Sequence, residues 1–261
     1  MNERLNAVIH DGVGPHALMV HGALCSRSYW TANLEALQEV CRPVVVELWG
    51  HGQSPSPADP DSYSPASYAA QFELIRTELD VDDWFTIGQS MGAALTLRYG
   101  LTHPDRVRAQ IITNSSSAFA DPKVWRERNR TTIAKIASEV EARGMEALRE
   151  SWINPGRSDK VVQPTRDQLI AEFAEHTAAG VIGGLQHTNK ACPLGERLAE
   201  VSRPTLLTNG IEETRFQARL PAARQIPEIE IVEIDASHAV NAQNPEQWNA
   251  AAIPFLQRHS T

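Results

Sequence analysis

The stretch FTIGQSMGAALTLRYG, Phe85 to Gly100, runs from a short apolar segment into a helical pattern through a polar pair, Gln89-Ser90, set between Gly88 and Gly92. A plain strand-to-helix connection needs no hydroxyl at its tip. Gly88-Gln89-Ser90-Met91-Gly92 matches G-x-S-x-G in the context that gives the motif meaning, with a strand pattern before it and a helix pattern after it. The glycines remove Cβ atoms where the two backbones crowd. A tight turn there lifts the Ser90 hydroxyl into the open. The helix N-terminus then directs the Met91 N–H, and the helix dipole, at the place where an oxyanion would develop. Ser90 is the candidate nucleophile and Met91 a candidate oxyanion donor.

Outward from this stretch, short apolar runs alternate with longer helical patterns. Strands are expected at Ala17 to Val20, Val44 to Leu48, Trp84 to Gly88, Ala109 to Asn114, Thr205 to Gly210 and Ile229 to Asp235. Helices are expected at about Ser28 to Val40, Pro65 to Leu79, Met91 to Thr102 and Pro245 to Gln257. This alternation predicts an α/β fold, a mostly parallel sheet flanked by helices. Ligands of such sheets bind outside the carboxyl ends of the strands, where each polar motif of this chain falls.

From about Ser117 to Arg203 the strand signal fades. VWRERNRTTIAKIASEVEARGMEALRESWI and TRDQLIAEFAEHTAAGVIGGLQH read as helices around a loop near Asn154 to Ser158. That is too long for an ordinary connection. The expected organisation is a core domain of residues 1–116 and 204–261 with a helical insertion at 117–203.

Composition excludes several classes. With 261 residues, 42% of them hydrophobic, the chain can bury one sizeable core. Its net charge of −8, with no Lys/Arg run, argues against nucleic acid or an anionic membrane as partner. The opening MNERLNAVIHDGVG lacks the apolar core of a secretory signal, and no apolar run approaches ~20 residues. Cys25, Cys41 and Cys192 are odd in number and fit no metal spacing, so they read as free thiols of a cytoplasmic protein. No metal or organic cofactor is expected, and the chain is expected to act as a monomer or homodimer.

A serine is a poor nucleophile at neutral pH and needs a base. His238, in the loop IDASHAVNAQNPEQW between the last strand and the last helix, is in position to serve. His21, after MV, reads instead as a residue that holds its turn together. The base needs a carboxylate to orient it. Glu212 and Glu213 follow a strand in NGIEETRF, and the chain order Ser, acid, His favours Glu213. Two solvated glutamates opening a helix are the competing reading, and Asp235 and Asp121 stay as other candidates. The second oxyanion donor is expected from the turn after MVHG, at Ala23 N–H first and Leu24 next.

Taken together, HGALCSRSYW, LWGHGQSPSP, GQSMGAA, NGIEE and DASHAVNAQNPEQW resemble the α/β-hydrolase superfamily over nearly the whole chain. The resemblance implies Ser90 as nucleophile, His238 as base, Glu213 as acid, backbone donors at Ala23 and Met91, and a cap role for the helical insertion. The chain departs from the common pattern at three places: Glu213 where most relatives have Asp, Ser237 where many have Gly, and Glu47 where many have Asp. NSSSAFADPKVW looks like the segment entering the cap of 3-oxoadipate enol-lactonases. NGIEETRFQA looks like the corresponding stretch of menaquinone-pathway synthases that eliminate pyruvate. Those synthases usually carry Gly-Gly-Arg after the elbow residue, where this chain has Gly92, Ala93 and Ala94. Dehalogenases of this fold use an aspartate nucleophile, which Ser90 does not match.

The expected activity is that of a serine hydrolase acting on a small-molecule carboxylic ester or lactone. A lyase or synthase using Ser and His for proton abstraction, and a ligand receptor without turnover, are the alternatives. Candidate substrate contacts are Leu24, Trp125, Arg126, Arg130 and Trp152. An inward arginine would favour a carboxylate-bearing substrate. A solvated basic helix face and aromatic core packing are the bland readings of the same residues.

Overall fold

A computed structural model describes residues 3–260. Met1, Asn2 and Thr261, which belong to the expected core segments, lie outside the described residues. Seven strands form one sheet: β1 (Ala7–Ile9), β2 (His16–Val20), β3 (Arg42–Val46), β4 (Trp84–Gln89), β5 (Val107–Thr113), β6 (Thr205–Gly210) and β7 (Ile229–Ile234). Their order is β1-β3-β2-β4-β5-β6-β7, and only β1 runs antiparallel to its neighbour. β1 escapes sequence reading because three residues carry no periodicity; Ile9 on this edge is exposed. β3 lies slightly earlier than expected.

The helices are α1 (Thr31–Gln38), α2 (Pro65–Glu78), α3 (Met91–Thr102), α4 (Pro122–Arg143), α5 (Met145–Arg149), α6 (Gln163–Glu172), α7 (Ala178–Gly183), α8 (Asn189–Ala191), α9 (Thr214–Gln217), α10 (Leu220–Ala223), α11 (Val240–Gln243) and α12 (Pro245–Arg258). The expected first helix divides into a 3-10 turn, Arg27–Trp30, and α1. The strands read as near-continuous apolar runs because both faces of the sheet are covered. Alternate residues of β2 point to opposite sides. Leu18 and Val20 join a core with Phe72 of α2 and Leu97 of α3, whereas Ala17 and Met19 join one with Leu37 of α1 and Trp248 of α12.

Between β5 and β6 the chain forms helices and turns only. Asp121 caps α4 by accepting from the Lys123 and Val124 N–H groups, and Pro122 suits the first turn. Gly144, at φ 60°, ends α4 and separates it from α5, so the long helical pattern becomes two elements. Beyond α7 a π-helical turn, Gly184–Thr188, leads into α8. The insertion is tied to the core by charged groups. Ser26 and Ser28 both donate to Glu172 Oε2, at 2.5 and 2.6 Å. Arg27 bridges Glu172 and Glu175 of the insertion to the fully buried Glu47 of the core.

The order reverses at β2 and β4: the chain leaves β2 toward one edge and β4 toward the other. The crevice between their carboxyl ends is the switch point where ligands of such sheets bind. Val20 pairs with Gly88, so the segments that follow β2 and β4 emerge side by side. Among the described residues no helix is long and apolar enough to cross a membrane.

The joint of β4 and α3 leaves no space at Gly92, where a Cβ would overlap the carbonyl oxygens of Val20 and His21. Gly92→Ala is expected to lower the thermal midpoint by roughly 5–10 °C, the scale of an overpacked site in a domain of this size. A variant melting with the parent would contradict this packing.

Candidate active site

Ser90 lies at the N-cap of α3 with φ 55° and ψ −113°, a conformation that few non-glycine residues adopt. Its side chain does not cap the helix, so Oγ is free to point outward. His238 Nε2 stands 3.0 Å from Ser90 Oγ, and His238 Nδ1 stands 3.2 Å from Glu213 Oε2. Glu213 is largely buried, while the imidazole is about half exposed. The hydrogen bond to His238 holds the Glu213 carboxyl below the ordinary carboxylate range, against the opposing effect of burial. An ionised Glu213 only accepts, so the proton of the neutral ring sits on Nδ1 and Nε2 faces the Ser90 hydroxyl as acceptor.

The other acids are engaged elsewhere. Glu212 pairs with Lys160 of the insertion at 2.5 Å. Asp235 accepts from Gln247 Nε2 at 3.2 Å. Asp121 caps α4. The structure therefore brings only Glu213 of the four candidates to His238.

The turn after β2 lies against the elbow, where a Cβ placed on Gly22 would come 3.0 Å from Ser90 Cβ. Neither Ala23 N–H nor Met91 N–H has a hydrogen-bond acceptor among the described residues. Leu24 N–H is already used: it donates to His51 Nε2 at 3.1 Å, while His51 Nδ1–H donates to the Trp49 carbonyl at 2.9 Å. Leu24 is also held at φ 56°. Strained residues thus stand on both sides of the crevice, a common property of functional sites. His21 braces the same turn, accepting from Leu48 N–H and donating to the Gly22 carbonyl.

His21, His51 and His176 form a buried row, with ring centroids 5.3 and 5.1 Å apart. His176, from the insertion, accepts from Gly52 N–H at 3.1 Å. Burial, reinforced by the neighbouring rings, pushes His21 and His51 down to about 3 and His176 to about 4. Neutral rings are what these acceptor roles require.

The candidate substrate contacts divide. Leu24 packs with Ile133, Leu148, Phe173, Val181 and Leu185 in an apolar roof supplied by the insertion. The π-helical turn passes over the elbow, with Gly184 within reach of the Met91 side chain. Trp125 is half-buried and donates its indole N–H to the Asn189 carbonyl, joining α4 to α8. Arg126 and Arg130 lie on a groove of about 650 Å³ with Lys123, Glu127, Ile133 and Lys190, and none of Ser90, His238 or Glu213 lines that groove. Trp152 is 64% exposed, with the Arg215 guanidinium 4.7 Å from its ring centre. The solvated-face reading fits the arginines, which are both exposed on α4. Among the described residues, no group of three or more His, Cys, Asp or Glu could hold a metal ion.

Asn114, Ser115 and His51 were not singled out from sequence. Their one signal was position: Asn114 is the last residue of an expected strand, Ser115 follows it directly, and His51 falls in the turn after another.

A family model of the α/β-hydrolase fold matches residues 15–142. The chain has the α/β-hydrolase fold. It is 26% identical, over 97% of its length and 98% of the relative's, to a Bacillus subtilis (strain 168) protein assigned as a 2-succinyl-6-hydroxy-2,4-cyclohexadiene-1-carboxylate synthase. It is 24% identical to the carboxylesterase YbfK of the same organism, over 93% of this chain and 80% of that one. Among solved structures, the enol-lactonase from Burkholderia xenovorans LB400 superposes with a TM-score of 0.78 at 20% identity, covering 97% of this chain and 96% of that one.

The buried histidines make a pH prediction. The unfolded chain takes up protons near pH 6.5 that the folded His21 and His51 refuse until about pH 3. The unfolded state therefore binds more protons in this window, and stability falls as pH falls. One such ring costs about 2 kcal/mol at pH 5 relative to pH 7.5. The thermal midpoint should drop between pH 6.5 and 5, above the range where Glu175, held low by Arg27, loses its charge. A midpoint that is flat or rises on acidification would contradict the neutral row.

Proposed function

We propose that this protein is a serine hydrolase that cleaves a carboxylic ester or lactone through an acyl-enzyme. The observation that carries the reading is the continuous hydrogen-bond chain from Ser90 Oγ through His238 to Glu213 Oε2. His238 takes the Ser90 proton as Oγ attacks the carbonyl carbon. Glu213 stabilises the imidazolium and holds the ring in its productive tautomer. The Ala23 and Met91 N–H groups receive the oxyanion, helped by the uncapped N-terminus of α3. When the tetrahedral adduct collapses, His238 returns the proton to the leaving alkoxide, which in a lactone remains attached to the acyl part. Water then gives a proton to His238, attacks the acyl carbon and frees the acid, restoring Ser90. The reaction needs no metal or organic cofactor.

Residues 117–203 act as a cap in this reading. Their apolar roof over Leu24 favours an aliphatic or aromatic acyl group beside the oxyanion turn. The similarity to a carboxylesterase and to the fold of an enol-lactonase supports hydrolysis.

A second reading is favoured by the similarity to the Bacillus subtilis synthase: the same Ser and His abstract a proton and drive an elimination. Ala93 and Ala94, which follow the elbow, place no cation beside it to bind a carboxylate-rich substrate of that kind.

p-Nitrophenyl esters of rising chain length, assayed beside lactones, identify the acyl preference. On whichever substrate turns over, Ser90→Ala is expected to lower kcat by roughly 10³-fold or more; turnover near the parent rate would refute the nucleophile. Glu213→Gln should cost about 10²- to 10⁴-fold, because the amide no longer stabilises the imidazolium. Glu212→Gln should stay within about twofold, its carboxylate being exposed and paired with Lys160. The reverse ranking would move the acid to Glu212.

A further inference from the structure

Asn114 stands directly after β5 and is fully buried. Its side chain bonds the backbone of both segments that lead to the partners of Ser90. Nδ2–H donates to the Ser237 carbonyl at 3.0 Å, in the loop that carries His238. Oδ1 accepts from Gly210 N–H at 3.1 Å, at the end of the strand that precedes Glu213. The adjacent Ser115 hydroxyl donates to the Ser90 carbonyl at 2.7 Å.

The sheet explains why an amide is needed there. The β5–β6 ladder ends at Thr113 and Thr208, so Gly210 N–H lies beyond the last strand partner. The histidine loop is not a strand and offers no ladder of its own to β5. A side-chain amide has the donor and acceptor of a peptide group. It extends the hydrogen bonding past the end of β5 and braces two segments that are also linked by the Ile211 and Glu212 N–H groups, which bond the Ile234 and Ala236 carbonyls. An unpaired Gly210 N–H or Ser237 carbonyl at this buried point would be costly.

We propose that Asn114 is a positioning residue: its amide clamps the Glu213 turn to the His238 loop and sets the distance between carboxylate and imidazole. The proposal rests on reading His238 and Glu213 as base and acid.

The test uses Asn114→Ala and the isosteric Asn114→Asp in the full chain. Asn114→Asp keeps the acceptor for Gly210 and sets an oxygen against the Ser237 carbonyl, so it removes one bond without changing volume. Four quantities are read: kcat and KM on a p-nitrophenyl ester, the thermal midpoint, and the downfield proton resonance of the His238 Nδ1–H hydrogen bond to Glu213. The clamp predicts a fall in kcat of about 10- to 100-fold, as for a small misplacement of a catalytic group, with KM within about threefold. It also predicts that the resonance broadens or vanishes in variants still folded at the assay temperature. A resonance unchanged in both variants, or a kcat within about twofold of the parent, overturns the clamp. Turnover surviving Ser90→Ala would sink the hydrolase reading instead, and the resonance would still decide the clamp because it does not depend on turnover.

Discussion

Ser90 occupies a left-handed backbone conformation at the joint of β4 and α3, and the site follows from holding it there. Such a residue costs on the order of 1–3 kcal/mol and persists only where its surroundings over-determine it. Here they do. β4 is buried along its whole length between β2 and β5. The Ser115 hydroxyl holds the Ser90 carbonyl. α3 starts immediately, so the chain must reverse direction within one residue. The strain lifts Oγ clear of the helix and leaves the first N–H of α3 without an acceptor.

The remaining groups arrive from other strand ends. β2 delivers the Ala23 turn, β6 delivers Glu213, and the loop after β7 delivers His238. Parallel strands end on one rim, so residues distant in sequence meet without long excursions. Hydrogen bonds then refine the approach. Ile211 and Glu212 N–H groups bond the Ile234 and Ala236 carbonyls, which zips the acid turn to the start of the histidine loop. His51 accepts from Leu24 N–H and lies against His176, which accepts from Gly52 N–H, so the turn after β2 and the helical segment between β5 and β6 belong to one network.

Much of this was legible in the sequence. The principal strands and helices follow from apolar runs and their spacing, and G-x-S-x-G between a strand and a helix marked the elbow. Glu213 was reached by chain order, yet only coordinates separate it from Glu212, because their difference is a side-chain direction at one turn. What the sequence hid has three physical sources. Gly144 breaks the long helical pattern after β5 through a backbone angle that helical periodicity does not register. Arg126 and Arg130 depend on which face of α4 turns inward, and Trp152 on the course of the turn after α5; their surroundings put all three at the surface. The polar clamp of Asn114 was hidden because a single Asn after a strand looks like any turn residue.

The chemistry turns on whether Ser90 forms a bond to the substrate. Mixing the protein with a p-nitrophenyl ester, quenching in acid at successive times and weighing the Ser90 peptide measures this directly. The account predicts that the peptide gains the mass of the substrate's acyl group during the first turnover and loses it as free acid appears. Complete turnover with Ser90 unmodified at every time point would contradict it.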